Sequence, residues 1–306
     1  MAKNVIHSKI SNLIDVKATE MNPDALYCCK SVSMEIKQIN NFIAGTIKLS
    51  ENRIYAILDN LVGYYTITLD LQLDKKTKIF RAVKYNEFNN KSCHDKVSRL
   101  SYKSPPTTIG RLNRQNESMY YGCLHFNDKW GDLNVAFSEI NALKYEKINI
   151  LKSEVTDELK VNYIGIYNYI KRNEKPYFLP KKVYAYFKDV YEYEENKFNK
   201  YVFTAFQLCD AFFSDILRRK ESDRLYVITS MLASLFLEGD RVDGLIYTSV
   251  KVEGSPVIAI KPISVDNKID HKEAMSFEIQ ENYSYAIYKA KLLHQGLVNG
   301  EKIDWI

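Results

Sequence analysis

Strand-like and helix-like segments follow each other irregularly along this chain, and this order constrains its fold more than any other feature. The clearest helices are predicted in succession, at roughly Tyr201–Arg219 and Ser222–Glu238, and buried strands follow at 244–250 and 257–262. Regular alternation of strands and helices favours a parallel α/β sheet, whereas this order favours antiparallel or mixed pairing. We therefore expect an α+β fold.

The first part of the chain reads as helical. Apolar residues recur there at helical spacing, namely Ile36, Ile39, Phe42 and Ile43 and then Ile54, Ile57, Leu58 and Leu61. Pro23, between Asn22 and Asp24, is typical of the first position of a helix. We expect residues 1–76 to form a helical N-terminal extension that packs on a main domain, residues 77–306.

The segment after residue 77 changes character. Lys78–Tyr85 alternates apolar and polar residues like a strand, with Arg81 inside it. The polar stretch Asn86–Lys103 reads as a loop. Ser118–Leu124 is predicted to be a second strand and Asn134–Leu143 a helix.

The remaining segments give weaker patterns. The apolar stretches Ile148–Leu151 and Val161–Ile170 are predicted to be strands, and Pro176–Asn199 a loop with a short helix. A last strand is predicted at Tyr283–Lys289.

Composition limits the possible partners. The 306 residues are 46% hydrophobic, and the net charge of +5 is spread along the chain. A dispersed lysine-rich surface is more typical of solubility than of a nucleic-acid footprint, so a nucleic-acid partner is not expected. No segment has the length of a membrane span and none at the start resembles a secretory signal, so no membrane partner is expected.

Cysteine and histidine usage indicates neither disulfides nor a metal. The five cysteines are odd in number and lack CxxC spacing, which favours a reducing, cytoplasmic setting. The histidines do not recur at ligand spacing, so we expect no metal site. The phosphate-loop, HExxH and GxGxxG motifs are absent.

A small set of residues carries possible chemistry. Arg81 and Arg111 offer a planar guanidinium that matches a phosphate with two hydrogen bonds. Tyr121 could stack on a planar ring and Glu139 could stabilise a developing cation, while Ser249 ends a strand. Taken singly, each has an ordinary alternative: a turn arginine, a core tyrosine, a solvated helix glutamate and a strand-end serine.

Their order along the chain resembles the RES-domain family, which is named for its arginine, glutamate and serine. The resemblance covers about residues 77–306 and follows Arg81 in the first strand, GRLN, YY, AFSE and DGLIYTS. It matches the family's arginine to Arg111, its tyrosine to Tyr121, its glutamate to Glu139 and its serine to Ser249.

This resemblance implies both a fold and an activity. The fold would be like that of the diphtheria-toxin-type ADP-ribosyltransferases, with a split antiparallel or mixed sheet, flanking helices and NAD+ in a cleft. The activity would be that of a toxin with a cognate antitoxin, which consumes NAD+ by cleaving its nicotinamide–ribose bond. Arg81, Arg111, Asn113, Tyr121 and Ser249 would bind the dinucleotide, and Glu139 with Arg111, Tyr121 and Ser249 would form the catalytic set.

The chain also departs from the family pattern. LHFNDKWGD lengthens the spacing between Tyr121 and Glu139, Thr248 stands where many relatives carry proline, and the turn Arg114–Glu117 lacks a glycine. Two other functions therefore stay open: an ADP-ribosyltransferase with a macromolecular target, and an inactive NAD-fold module that binds a partner. The acceptor of the ADP-ribose, whether water, phosphate or a side chain, also stays open.

Overall fold

The computed structural model describes residues 8–65, 71–85, 94–102, 107–125, 131–252 and 254–306. Within these ranges the chain is α+β, with ten strands in one mixed sheet and ten helices. The predicted α+β class and the mixed pairing are confirmed. The predicted loop at Asn86–Lys103 lies partly outside the described residues, as do His7, Cys93 and residues 126–130 of the inserted segment.

The helices, numbered in chain order, are α1 (Ser8–Met21), α2 (Ala25–Ala44), α3 (Glu51–Val62), α4 (Val97–Leu100), α5 (Gly131–Glu139), α6 (Ile166–Lys171), α7 (Lys181–Lys197), α8 (Lys200–Arg218), α9 (Asp223–Leu237) and α10 (Pro262–Lys268). The strands are β1 (Gln72–Leu73), β2 (Lys78–Lys84), β3 (Tyr120–His125), β4 (Lys147–Val155), β5 (Leu159–Tyr163), β6 (Gly244–Thr248), β7 (Pro256–Ile260), β8 (Ile269–Asn282), β9 (Tyr288–Asn299) and β10 (Lys302–Trp305). The strands predicted at Lys78–Tyr85, Ser118–Leu124, 244–250 and 257–262 are confirmed, and so are the two helices that became α8 and α9.

The order of strands in the sheet brings distant parts of the sequence together. The order is β1-β5-β6-β7-β3-β2-β4-β8-β9-β10, with β5 and β6 parallel and the other described neighbours antiparallel. Tyr121 of β3 lies opposite Ala259 of β7, and Arg81 of β2 lies opposite Leu151 of β4. Helix α5 packs on β2 and β3. Strands β2, β3, β7 and β6 are consecutive in the sheet, so α5 lies on strands near β6.

The N-terminal helices share the core of the rest of the molecule. Their predicted helical character is confirmed over residues 8–62. Helix α2 packs on α8, α3 on α9 and α1 on α7, while β1 pairs with β5. Fully buried Ile39 and Ile57 belong to the same apolar cluster as Phe206. The predicted boundary at residue 76 thus runs through one continuous core.

Helix α2 starts later than its sequence signal predicts. Its first residue is Ala25 and its N-cap is Asp24, so Pro23 precedes the helix instead of occupying its first position. The helix ends at Ala44, and the N–H of its C-cap Gly45 donates to the carbonyl of Phe42 (3.0 Å). The φ of 81° at Gly45 lets the next N–H, of Thr46, reach the carbonyl of Asn41 (2.9 Å).

The strand prediction for Val161–Ile170 is wrong in its second half. Strand β5 ends at Tyr163, and Gly165, with φ of 92°, turns the chain into α6. The buried carboxylate of Asp210 accepts hydrogen bonds from the backbone N–H groups of Gly165 (2.8 Å) and Tyr167 (3.0 Å). A short apolar run is ambiguous because buried helices and buried strands are both apolar throughout.

Three other boundaries differ from prediction. Most of the loop predicted at Pro176–Asn199 is the 17-residue helix α7. The strand predicted at Tyr283–Lys289 is mainly the turn between β8 and β9, where three consecutive residues from Ser284 have positive φ. The helix predicted at Asn134–Leu143 ends at Glu139.

Among the described residues, no helix combines the length and apolar character needed to cross a membrane.

Candidate functional site

Strands β2 and β3 bring Arg81 and Tyr121 side by side. The Arg81 guanidinium donates from Nη1 to the carbonyl of Tyr121 and from Nε to the carbonyl of Leu100, both at 3.0 Å. Its centre lies 5.6 Å from the middle of the Tyr120 ring. Burial lowers the pKa of Arg81, and the two tyrosines oppose this shift. The carbonyl contacts and the ring thus hold a cation in the interior, where it needs partners.

The GRLN segment folds into a turn that holds the Tyr121 hydroxyl. That hydroxyl accepts a hydrogen bond from the backbone N–H of Leu112 (2.9 Å) and donates to Oδ1 of Asn113 (2.8 Å). The backbone N–H of Gly110 donates to the carbonyl of Asn113 at 3.0 Å. A Cβ atom at Gly110 would overlap Oδ1 of Asn113, so a larger residue there would displace the Asn113 side chain that holds Tyr121. Burial raises the pKa of Tyr121, so the phenol remains protonated and able to donate.

Arg111 joins this turn to the end of α8. Its Nη1 donates to the carbonyl of Leu217 (3.0 Å) and to that of Arg219 (3.2 Å). Its guanidinium also packs against the Tyr226 ring, with 5.6 Å to the ring centre. A cation at the C-terminal end of a helix interacts favourably with the free carbonyls there. Arg111 therefore has a structural contact at one nitrogen in addition to its place in the cavity described below.

Glu139 and Ser249 form a direct pair. Glu139 is the last residue of α5, and Ser249 follows the last residue of β6. The Ser249 hydroxyl donates to Oε1 of Glu139, and its oxygen accepts from the backbone N–H groups of Lys251 (3.0 Å) and Val252 (2.9 Å). The serine is thus fixed by its own loop and aimed at the carboxylate.

The Glu139 carboxyl is perturbed by its surroundings. Burial raises its pKa above the usual glutamate range. The hydrogen bond from Ser249 and the positive charges of Arg111 and Lys251 lower the pKa in part, and the negative charge of Glu221 raises it. A carboxyl whose pKa is shifted by burial and by specific partners in a cleft is a candidate functional group.

Four of the six predicted residues line one cavity of about 280 Å³, namely Arg81, Arg111, Tyr121 and Glu139. Asn113 and Ser249 are not part of its wall. Asn113 lies behind Tyr121 and Ser249 behind Glu139, each joined to that residue by a hydrogen bond. The six residues therefore form one connected arrangement, with four in the cavity wall and two supporting it.

The cavity also contains residues that were not predicted to be part of the site. These are Glu221 and Tyr226, from the α8–α9 connection and α9, together with Cys123 and Tyr247. Burial raises the pKa of Tyr226, Glu221 raises it further and Arg111 opposes the shift. The sequence RRKESDR between two helices resembles an ordinary exposed connection, so nothing in it indicated a cavity wall. Tyr247 lies inside the predicted DGLIYTS strand, two positions before Ser249. Residues two apart in a strand share a face, so this spacing could have indicated that Tyr247 lies on the same side as Ser249.

The chemistry of the wall is mixed. Two guanidinium groups and two carboxylates face a cavity that is otherwise aromatic and aliphatic. Such a site can bind an anionic group at the arginines and stabilise positive charge at the half-buried Glu139 carboxylate. Within the part of the chain that the structure describes, no group of three or more metal-ligating side chains was found.

Comparison with known proteins adds no relative: no family model, curated protein or solved structure matches this chain.

Proposed function

We propose that this protein binds NAD+ and cleaves its nicotinamide–ribose bond. The single observation that carries the proposal is the position of Glu139: a half-buried carboxylate, held by Ser249, in a cavity that it shares with Arg81, Arg111 and Tyr121. The order of these residues along the sequence predicts the same set. The activity rests on what these groups can do together, since no relative informs it.

The reaction would depend on the negative charge of Glu139. When the bond between the ribose C1′ and the nicotinamide nitrogen breaks, its electron pair leaves with nicotinamide and positive charge develops on the ribose. A carboxylate fixed beside the ribose stabilises this charge without having to reorganise. Because Ser249 donates to one carboxylate oxygen, the other remains for the ribose hydroxyls or the developing cation.

The size of the cavity limits how much of the dinucleotide it encloses. About 280 Å³ lies just below the range of roughly 300–1,000 Å³ that is typical of pockets for drug-sized ligands. We place the nicotinamide and its ribose inside, with the pyrophosphate beside Arg111 and the adenosine outside. Arg111 uses Nη1 for two carbonyls, so only the rest of its guanidinium would serve the phosphates.

The remaining residues receive distinct roles. The Tyr121 ring would stack on the nicotinamide, because its hydroxyl is tied to the GRLN turn and its ring forms part of the wall. Asn113 would position that ring instead of touching NAD+. Ser249 would orient Glu139, and Arg81 would add positive charge beneath the site while it anchors the strand of Tyr121.

We also infer that the chain is a member of the RES-domain family with an ADP-ribosyltransferase-like sheet. As such it would be a cytoplasmic toxin, and its protein partner would be a cognate antitoxin. The order of Arg111, Tyr121, Glu139 and Ser249 supports this reading. Three of them line one cavity, and Ser249 is hydrogen bonded to Glu139 behind it.

The test is to incubate the purified protein with NAD+ and follow the release of nicotinamide. Release with accumulation of free ADP-ribose supports a glycohydrolase, whereas transfer of label from NAD+ to proteins of a cell extract indicates an ADP-ribosyltransferase. Absence of both would leave the inactive NAD-fold module as the correct reading.

A second test is growth in bacteria. Induction of the wild-type chain should slow growth, and induction of Glu139→Gln at an equal level of soluble protein should not.

A further inference from the structure

A second carboxylate, Glu221, shares the cavity with Glu139 but differs from it in environment. Glu139 is half-buried at the end of α5, whereas Glu221 is exposed on the connection between α8 and α9. Because Glu221 is both exposed and part of the wall, it lies where the cavity meets solvent. The two negative charges interact, since Glu221 contributes to the raised pKa of Glu139.

The surroundings of Glu221 fix it relative to the site. The connection that carries it is held by Arg111, whose Nη1 donates to the carbonyls of Leu217 and Arg219. The Tyr226 hydroxyl shares a hydrogen bond with the Glu221 carboxylate, and the Tyr226 ring packs on the Arg111 guanidinium. The carboxylate is therefore tied, through Arg111 and Tyr226, to the same cavity wall that holds Tyr121.

Cleavage of a glycosidic bond commonly uses two carboxyl groups with separate tasks. In an ordinary glycoside one group protonates the leaving oxygen and the other activates water. The nicotinamide of NAD+ leaves without a proton, so one carboxylate is free to stabilise the charge on the ribose while the other takes a proton from water. A buried group suits the first task and a solvent-accessible group suits the second, because water must reach the base and the proton must leave it.

We propose that Glu221 is the general base that activates water, which makes the site a glycohydrolase. This assignment rests on the proposed cleavage of NAD+, and it makes water the acceptor of the ADP-ribose. As the bond from C1′ to the nicotinamide nitrogen breaks, the electron pair leaves with neutral nicotinamide. The oxygen of water bonds to C1′, and one proton of that water passes to Glu221 and then to solvent. The products are ADP-ribose, nicotinamide and a proton.

The experiment compares Glu221→Gln with wild type in the nicotinamide-release assay, in water and with added azide. Glutamine keeps the size of the side chain but cannot accept the proton, so we expect hydrolysis to fall by about 10²–10⁴-fold. Azide attacks C1′ without giving up a proton, so it should restore nicotinamide release to Glu221→Gln and yield the ribosyl azide. Glu238→Gln, an exposed glutamate at the other end of α9, is the matched control and should behave like wild type.

The outcomes separate this assignment from the proposed function. Wild-type release of nicotinamide with an equal rate for Glu221→Gln would overturn the role of Glu221 and leave NAD+ cleavage standing. A slow Glu221→Gln that azide does not accelerate would also overturn it, because that result indicates a structural defect. If the wild type in phosphate buffer forms mainly the 1″-phosphate of ADP-ribose, water is not the acceptor and the assignment is wrong. If the wild type releases no nicotinamide, both proposals fail.

Discussion

The hydroxyl of Ser249 donates a hydrogen bond to Oε1 of Glu139, across 110 positions of the sequence. This contact joins the end of β6 to the end of α5. Helix α5 packs on β2 and β3, and β7 is the strand between β6 and β3 in the sheet. A donor to one carboxylate oxygen fixes the side chain and favours its ionised form. The hydrogen bond from Ser249 therefore helps to keep the negative charge on Glu139 that the proposed reaction requires.

Replacement of Ser249 by alanine should shift the pH dependence of NAD+ cleavage. Burial, helped by Glu221, already raises the pKa of Glu139, while Ser249, Arg111 and Lys251 lower it. Without the serine the pKa rises further, so the ionised fraction and kcat/KM are lost at a higher pH as the solution is acidified. The profile of kcat/KM against pH measures this shift. An acid limb unchanged from wild type would mean that Ser249 does not act on Glu139, and Ser234→Ala on α9 provides the control.

Arg111→Ala should weaken NAD+ binding and also lower stability. It removes a guanidinium from the cavity wall and leaves the carbonyls of Leu217 and Arg219 without their donor. A hydrogen bond to a charged group contributes about 1.5–3 kcal/mol, so we expect Kd to rise by about tenfold or more. Calorimetric titration gives Kd, and the melting temperature reports stability. Arg114→Ala, an exposed arginine in the same segment, should change neither. Equal NAD+ affinity in the two variants would remove Arg111 from the binding site.

Two substitutions at Tyr121 separate its ring from its hydroxyl. Tyr121→Phe keeps the ring but leaves the Leu112 N–H and Oδ1 of Asn113 without a partner, so it should cost about 1–3 kcal/mol of stability. Its NAD+ affinity should stay close to wild type if the ring stacks on nicotinamide. Tyr121→Leu should lose affinity as well, because it removes the ring. Urea unfolding and NAD+ titration measure both effects. Tyr121→Leu with wild-type affinity would contradict the stacking role.

The N-terminal helices should be needed for the stability of the whole molecule. Ile39 of α2 is fully buried in the core shared with α8, so Ile39→Ala should cost about 2–5 kcal/mol. Leu26→Ala, on the exposed side of α2, should cost much less. The free energy of unfolding in urea measures both. A truncated chain without residues 1–76 that stays soluble and folds cooperatively would show instead that the extension is separable.

Local sequence patterns predicted the parts of the fold that depend on near neighbours. Alternation identified β2 and β3, and helical periodicity identified α2, α3, α8 and α9. The errors fall where the pattern is ambiguous or where the tertiary structure decides. Val161–Ile170 is apolar throughout, and its helical half depends on Asp210, a residue of α8 that caps it. The turn after β8 requires positive φ at Ser284, Tyr285 and Ala286, residues that do not usually signal it.

In the candidate site, too, the sequence predicted some residues and not the contacts that depend on tertiary packing. Residue order picked out Arg81, Arg111, Tyr121 and Glu139, which do share a cavity. It did not reveal that Arg111 caps α8 or that Asn113 supports Tyr121, because those contacts depend on how distant segments pack. Glu221 and Tyr226 were missed for the same reason, since a charged connection between helices has the same sequence whether it faces solvent or a cavity.

The most direct test of the central claim is nicotinamide release by Glu139→Gln. Glutamine keeps the size of the side chain and can still contact Ser249, but it carries no negative charge. We expect NAD+ affinity and melting temperature close to wild type, with turnover lower by a factor of about 10² or more, as is typical when transition-state electrostatics are removed. If Glu139→Gln releases nicotinamide at the wild-type rate, Glu139 is an ordinary helix residue and the proposed NAD+ site is wrong.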